Sequence, residues 1–199
     1  MSETASNLSL TPAGQQMRAE ILEAALTLFA EHSYSGTSMG TIAEKCGITK
    51  AGLYHYFKTK AELLDHVYAI VNITLSIALQ HAQDLGRTPE ERLIEIVYAQ
   101  VKHQVEYRTF LAVFWRERYQ LDADARKRVR AKEKVFEKVM MELLIEGQNS
   151  GVFRKFDLDI RLPLIFGVLN TVYRWSHHVD KSIDEISQEA VNFILFGIK

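Results

Sequence analysis

Between Lys45 and Lys60 the sequence carries four lysines, at 45, 50, 58 and 60, and no Asp or Glu. The local sum is +4, against a formal net charge of −1 for the whole chain. Thr49, Tyr54, His55 and Tyr56 are interleaved with these lysines. Ammonium, hydroxyl and imidazole groups in one short stretch suit contacts to phosphate oxygens. A chain that is not basic overall must place any nucleic-acid surface locally, and this stretch is where it does so. A charge run alone is more often a solvated face. Here it falls on a helix-turn-helix pattern: two short helices, Met39–Cys46 and Lys50–Tyr56, joined by Cys46-Gly47-Ile48-Thr49. Ile42, Ala43, Cys46, Ile48 and Leu53 are spaced to pack the pair together, with Cys46 read as a packed structural thiol. Gly52 has two readings. A glycine within a helix costs about 1 kcal/mol relative to Ala, so it serves either close approach to DNA or tight packing on the neighbouring helix.

A second concentration is aromatic. Tyr107, Phe110, Phe114, Trp115 and Tyr119 fall at spacings that group them along a helix. Phe136, Met140 and Leu144 supply a further wall, as do Phe166, Asn170 and Tyr173. Such residues build either plain core or the lining of an apolar ligand pocket. Lys102, His103, Arg116 and Arg174 are the cations available to an anionic ligand end. Other chemistries find little. Gly147-Gln148-Asn149-Ser150-Gly151 lacks the Lys-Ser/Thr of a phosphate loop. His177 and His178 are adjacent and diverge around a helix, a poor metal pair. No catalytic signature, metal site or cofactor motif is expected. A helical enzyme and a helical protein-interaction module are the opposing classes, and neither needs an operator.

The elements that carry these residues read as all-α. Thr11-Pro12 is a helix start, cap residue then proline. Thr59-Lys60-Ala61-Glu62, Thr88-Pro89-Glu90-Glu91 and Ser182-Ile183-Asp184-Glu185 each have the capping-box pattern before an apolar-periodic run. Further helices are expected over about 109–119, 123–149, 158–178 and 183–197. Gly36 is placed in a turn, and Pro163 marks a first turn or a kink. The expected organisation is a disordered arm over 1–11, a three-helix DNA-binding domain over 12–58, a connecting helix over 59–82, and a helical-bundle ligand-binding and dimerisation domain over 83–199. With 199 residues, 47% hydrophobic and 25% charged, the composition is that of a globular protein. One Cys excludes an intramolecular disulfide and fits a cytoplasmic location. The most apolar stretch, Leu162–Val172, is too short to span a bilayer, so no membrane association is expected.

The residues Ile21-Leu22-Glu23-Ala24-Ala25, Leu28-Phe29-Ala30, Gly36-Thr37-Ser38-Met39, Ile42-Ala43, Gly47-Ile48-Thr49-Lys50 and Leu53-Tyr54-His55-Tyr56-Phe57-Lys58-Thr59-Lys60 resemble the signature of TetR regulators. The resemblance implies a homodimer reading a palindromic operator in double-stranded DNA, with a repressor released by a small molecule. Carried onto these positions, it puts Thr37 and Ser38 at phosphate, Thr49, Lys50, Ala51, Gly52 and Tyr54 at the major groove, and His55, Tyr56 and Lys60 on the backbone. Glu146–Arg154, Tyr173-Arg174-Trp175 and Phe196-Gly197-Ile198 resemble the subgroup sensing fatty-acyl or acyl-CoA compounds, which implies a largely apolar effector. Together with the aromatic reading, this makes Lys102, Phe110, Phe114, Trp115, Arg116, Tyr119, Phe136, Met140, Phe166, Asn170, Tyr173 and Arg174 the candidate ligand site. The last two helices carry more apolar surface than one core face needs. Leu162, Ile165, Leu169, Ile186, Ala190, Phe193 and Ile194 are therefore the candidate dimer interface, a four-helix contact in the family.

Overall fold

The computed structural model describes residues 11–81, 83, 86–121 and 123–199. The expected arm lies outside them, except for Thr11. The described residues form helices and turns with no strand. In chain order the helices are α1 Pro12–Gly36, α2 Met39–Lys45, α3 Lys50–Tyr56, α4 Lys60–Val71, α5 Ile73–His81, α6 Pro89–Glu106, α7 Arg108–Glu117, α8 Ala123–Asn149, α9 Leu158–Leu169, α10 Val172–Trp175 and α11 Ile183–Ile198.

Hydroxyl caps set most of the starts. Thr11 accepts from the Gly14 amide at 3.2 Å, Ser38 from Thr41 at 3.0 Å and Thr49 from Gly52 at 3.0 Å. Each satisfies an amide that the first turn leaves unpaired. The boxes at Thr88/Glu91 and Ser182/Glu185 are reciprocal. That at Thr59 is only half formed. Thr59 accepts from the Glu62 amide, but the Glu62 carboxylate takes the Lys58 amide at 2.7 Å instead of reaching back to Thr59.

Three expected spans differ. The connecting helix expected over 59–82 breaks at Asn72 into α4 and α5. The first helix is interrupted at Ser33, with φ 73°, ahead of the turn expected at Gly36. The span expected over 158–178 breaks after Leu169 into α9, α10 and a 3₁₀ turn at Ser176–His178. Pro163 sits inside α9 without ending it. At the break, Asn170 accepts from Gln100 at 2.8 Å, and the Thr171 hydroxyl donates to the Gly167 carbonyl at 3.0 Å. A side chain on a distant helix and a local back-bond therefore fix where the chain turns.

Among the described residues two large cores hold the molecule, with a small third cluster of Leu75, Ala78 and Ala99 between α5 and α6. One joins Ile21, Ala25 and Phe29 of α1, Ile42, Leu53 and Phe57 of the helix-turn-helix, and Leu63, Leu64 and Val67 of α4 to Phe110, Leu111 and Phe114 of α7, and on to Leu121. The other surrounds α6, whose Leu93, Ile96, Val97 and Val101 meet Met140, Leu143 and Leu144 of α8, Leu162, Ile165 and Leu169 of α9, and Ile194 of α11. The helix-turn-helix end is thus anchored on α7 as well as carried by α4.

Candidate DNA-binding face and effector cavity

α2 and α3 pack through Ile42, Ala43 and Leu53, all buried, with Ile48 and Cys46 beside them. Burial pushes the half-buried Cys46 thiol up, so it stays protonated. Gly47 takes φ 65° between the helices, a left-handed turn that side-chain-bearing residues rarely adopt. The opposite side of α3 exposes Lys50, Ala51, Tyr54 and His55, with Ser38 and Thr49 at the two helix starts. Tyr56 is half-buried against the core, and its ring meets His55 edge-on at 5.4 Å. A Cβ on Gly52 would meet only Thr49 Oγ1 at 3.4 Å and Ile48 Cβ at 3.9 Å, ordinary contacts. Tight packing on the neighbouring helix is therefore not what Gly52 serves.

Two residues expected at phosphate point inward. Thr37 is buried, and its hydroxyl donates to the Ser33 and Leu28 carbonyls at 2.7 and 3.1 Å. Lys60 lays its ammonium 4.2 Å over the Tyr34 ring and donates to the Tyr34 and Thr37 carbonyls at 2.8 and 3.0 Å. It closes the broken end of α1, a role its sequence position did not signal.

A cavity of about 500 Å³ lies among α4, α5, α6, α7, α8 and α9. Phe114, Trp115, Phe136 and Phe166 line it, with Asn170, as the aromatic reading expects. Phe136 and Phe166 face each other at 5.1 Å. The other ligand candidates are elsewhere. Phe110 and Tyr173 belong to the core that anchors α1, and Met140 to the core around α6. Tyr119 stands 81% exposed on a 3₁₀ turn. Lys102 pairs with Glu106 at 3.7 Å on the outside, Arg116 is exposed, and the Arg174 guanidinium bonds the Tyr173 hydroxyl. Helical spacing groups these side chains but does not say which face looks inward.

The cavity's polar residues come mainly from positions the aromatic pattern does not mark. Gln100, His103 and Gln104 share one face of α6 at spacings of three and four, and all are buried. Desolvation pushes the His103 imidazole down to about 4. It is therefore a neutral floor residue and not the cation proposed from its residue type. Charge collects at the mouth instead, on Arg118, Arg130, Lys132, Glu133 and Glu137. Arg118 pairs with Glu133 at 3.2 Å and stacks 4.6 Å over Trp115. Lys132 donates to the Asp65 carbonyl at 3.2 Å and lies 5.3 Å over Tyr68, and Arg128 pairs with the Asp65 carboxylate. The mouth of the cavity is thus tied directly to α4. Among the described residues no group of His, Cys, Asp or Glu is arranged to hold a metal.

The expected dimer residues divide. Leu162, Ile165, Leu169, Ile186 and Ile194 are buried in the chain's own core, and Ala190 is half-buried. Phe193 alone of the set is open, at 63% exposure. The same two C-terminal helices also expose Ile160 at 60%, Leu164 at 57% and Phe196 at 90%. No single described helix is long and apolar enough to cross a membrane; the bent pair α4–α5 passes by length and composition only, and α4 buries Leu63, Leu64 and Val67 in the protein core.

Comparison with known proteins matches this architecture from end to end. Residues 86–198 match the tetracyclin repressor-like C-terminal domain, and residues 21–67 the bacterial regulatory proteins of the tetR family. The chain belongs to the TetR family. Among its relatives is the HTH-type transcriptional repressor KstR2 of Mycolicibacterium smegmatis, 28% identical over 187 residues, covering 91% of this chain and 90% of the relative. Among solved structures, the TetR-family regulator PfmR from Thermus thermophilus superposes with a TM-score of 0.76 at 27% identity, over 88% of this chain and 96% of that one. AibR, in complex with isovaleryl coenzyme A and operator DNA, superposes with a TM-score of 0.72 at 26% identity, over 89% and 97%. The named repressor and regulator among these relatives, with the two family matches, make this TetR-family chain a DNA-binding transcriptional regulator.

Proposed function

We propose that the protein is a homodimeric repressor, working beside the chromosome in the cytoplasm, that leaves a palindromic operator when a largely apolar organic molecule of the acyl-CoA class enters the cavity of each protomer. The observation that carries this reading is the shared wall: the residues at the cavity mouth also hold α4, which leads into the helix-turn-helix. An anionic group arriving at Arg118, Arg130 and Lys132 competes with Glu133 and with the Asp65 carbonyl. The α8–α4 tie then loosens, and α3 shifts relative to its dimer mate. Two recognition helices must sit about 34 Å apart to enter successive major grooves. A ligand that favours another spacing lowers operator affinity by its difference in affinity for the two states. The similarity to AibR, which is described with isovaleryl coenzyme A and operator DNA, supports both partners. We put the dimer contact on Ile160, Leu164, Phe193 and Phe196, because large apolar side chains left exposed on the two C-terminal helices suit an interaction site.

On DNA, Lys50, Ala51, Gly52, Tyr54 and His55 meet the major groove and its rim, while Ser38, Thr49 and Tyr56 flank it at the backbone. Fluorescence anisotropy on promoter fragments, titrated with acyl-CoAs of graded chain length, tests the reading. Release at micromolar acyl-CoA is expected. Lys50→Ala and Tyr54→Ala should bind DNA more weakly while keeping their helicity, and the salt slope should fall by about one for each phosphate contact removed. Binding unaffected by any acyl-CoA overturns the effector assignment. Binding unaffected in both variants removes α3 from the DNA.

A further inference from the structure

The floor of the cavity is polar in a particular sense. Gln100, His103 and Gln104 are 3%, 4% and 1% exposed. Among the described residues, Gln100 Oε1, Gln104 Oε1 and both ring nitrogens of His103 find no hydrogen-bond partner within the protein. Gln100 donates its amide N–H to Asn170 at 2.8 Å, which leaves its carbonyl oxygen as the free end. Trp115 Nε1, from the facing helix, is likewise buried without an acceptor. Buried polar groups are ordinarily satisfied, and each one left unmet is costly. A site that keeps several of them together, in a cavity whose walls include Leu75, Leu111 and Phe136 as well as Asn72 and Ser76, is built for a ligand that completes them.

The set also specifies what that ligand must offer. Two amide oxygens accept only, so they call for O–H or N–H donors. The imidazole is neutral in this environment and supplies no charge. Trp115 donates only and calls for an oxygen. A carboxylate pushed to this depth would face two carbonyl oxygens with no cation beside it, and burying an unpaired charge is strongly unfavourable. We infer that the effector carries an uncharged hydroxyl- or amide-type group at its inner end, which donates to one of the Gln100 and Gln104 oxygens (to both, for a primary amide) and accepts from Trp115, while any anionic part stays at the Arg118–Lys132 mouth. Within the acyl-CoA class, this singles out chains bearing a hydroxyl remote from the thioester over plain or carboxyl-ended chains. The inference rests on the effector reading above.

Calorimetry on the full-length protein with three probes tests it: decanoyl-CoA, ω-hydroxydecanoyl-CoA and the ω-carboxy analogue. The hydroxylated probe should bind about tenfold tighter than the plain one, from satisfying an acceptor otherwise left unmet, and the carboxylated probe weakest. Gln104→Met should remove the preference for the hydroxyl. It should also melt at or above the wild-type temperature in the unliganded state, because it deletes an unpaired buried oxygen at nearly constant volume. Equal affinity for the plain and hydroxylated probes, with both still releasing DNA, overturns this inference and leaves the acyl-CoA reading standing. Heat from none of the three overturns both. A Gln104→Met protein that melts well below wild type makes the side chain part of the scaffold and also overturns the inference.

Discussion

Acidifying the solution should destabilise this protein through one buried imidazole. His103 is 4% exposed, and burial alone lowers it from 6.5 to about 4. In the unfolded chain the ring returns to its ordinary value. Between pH of about 4 and about 6.5 the unfolded state therefore binds more protons than the folded one, so stability rises with pH across that window. The contribution is fully present above the unfolded value and is lost as pH falls toward the folded value. A shift of one unit corresponds to about 1.4 kcal/mol. From about pH 7 to about pH 5 the loss comes to about 2 kcal/mol, and it levels off near 3 kcal/mol below the folded value. Urea denaturation followed by circular dichroism at several pH values measures it, with protein concentration held fixed because dimerisation contributes to apparent stability. His103→Leu removes this titration and leaves all others in place, so the difference between the two profiles isolates the ring. The variant should lose about 2 kcal/mol less than wild type over that interval. Parallel profiles, agreeing within about 0.5 kcal/mol, would mean that the ring is charged or solvated in the folded protein, and the neutral floor of the cavity would fall with it.

Lys60→Met deletes a charge-assisted clamp on the Tyr34 and Thr37 carbonyls and should lower stability by about 1.5–3 kcal/mol in thermal melts. An unaltered melt together with a smaller salt slope of DNA binding would return Lys60 to phosphate. Phe193→Glu and Phe196→Glu change side chains that are 63% and 90% exposed, so both variants should keep their helicity and sediment as monomers that bind operator poorly. A dimeric Phe193→Glu protein would place the interface on another face. Ile194→Glu, at a position 4% exposed, should instead fail to fold, which separates interface from core on adjacent residues.

What the sequence by itself determined is local in origin. Ser38, Thr49, Thr88 and Ser182 start helices because a hydroxyl meets amides within the same turn. The helix-turn-helix is contiguous along the chain, so Lys50 and Tyr54 could be assigned to its outer face from pattern alone. The remaining assignments needed distance in space. Lys60 reads as a surface cation until the broken end of α1 brings two carbonyls to it from more than twenty residues away. Gln100 and Gln104 have the residue types of a solvated helix face, and only helices packed around α6 make them buried. Helical periodicity shows that α9 and α11 are apolar on more than one side. It cannot show that Leu162, Leu169 and Ile194 face the chain's own core while Leu164, Phe193 and Phe196 face out. A helix specifies which side chains share a stripe, but the partner that stripe meets is a property of the packed molecule.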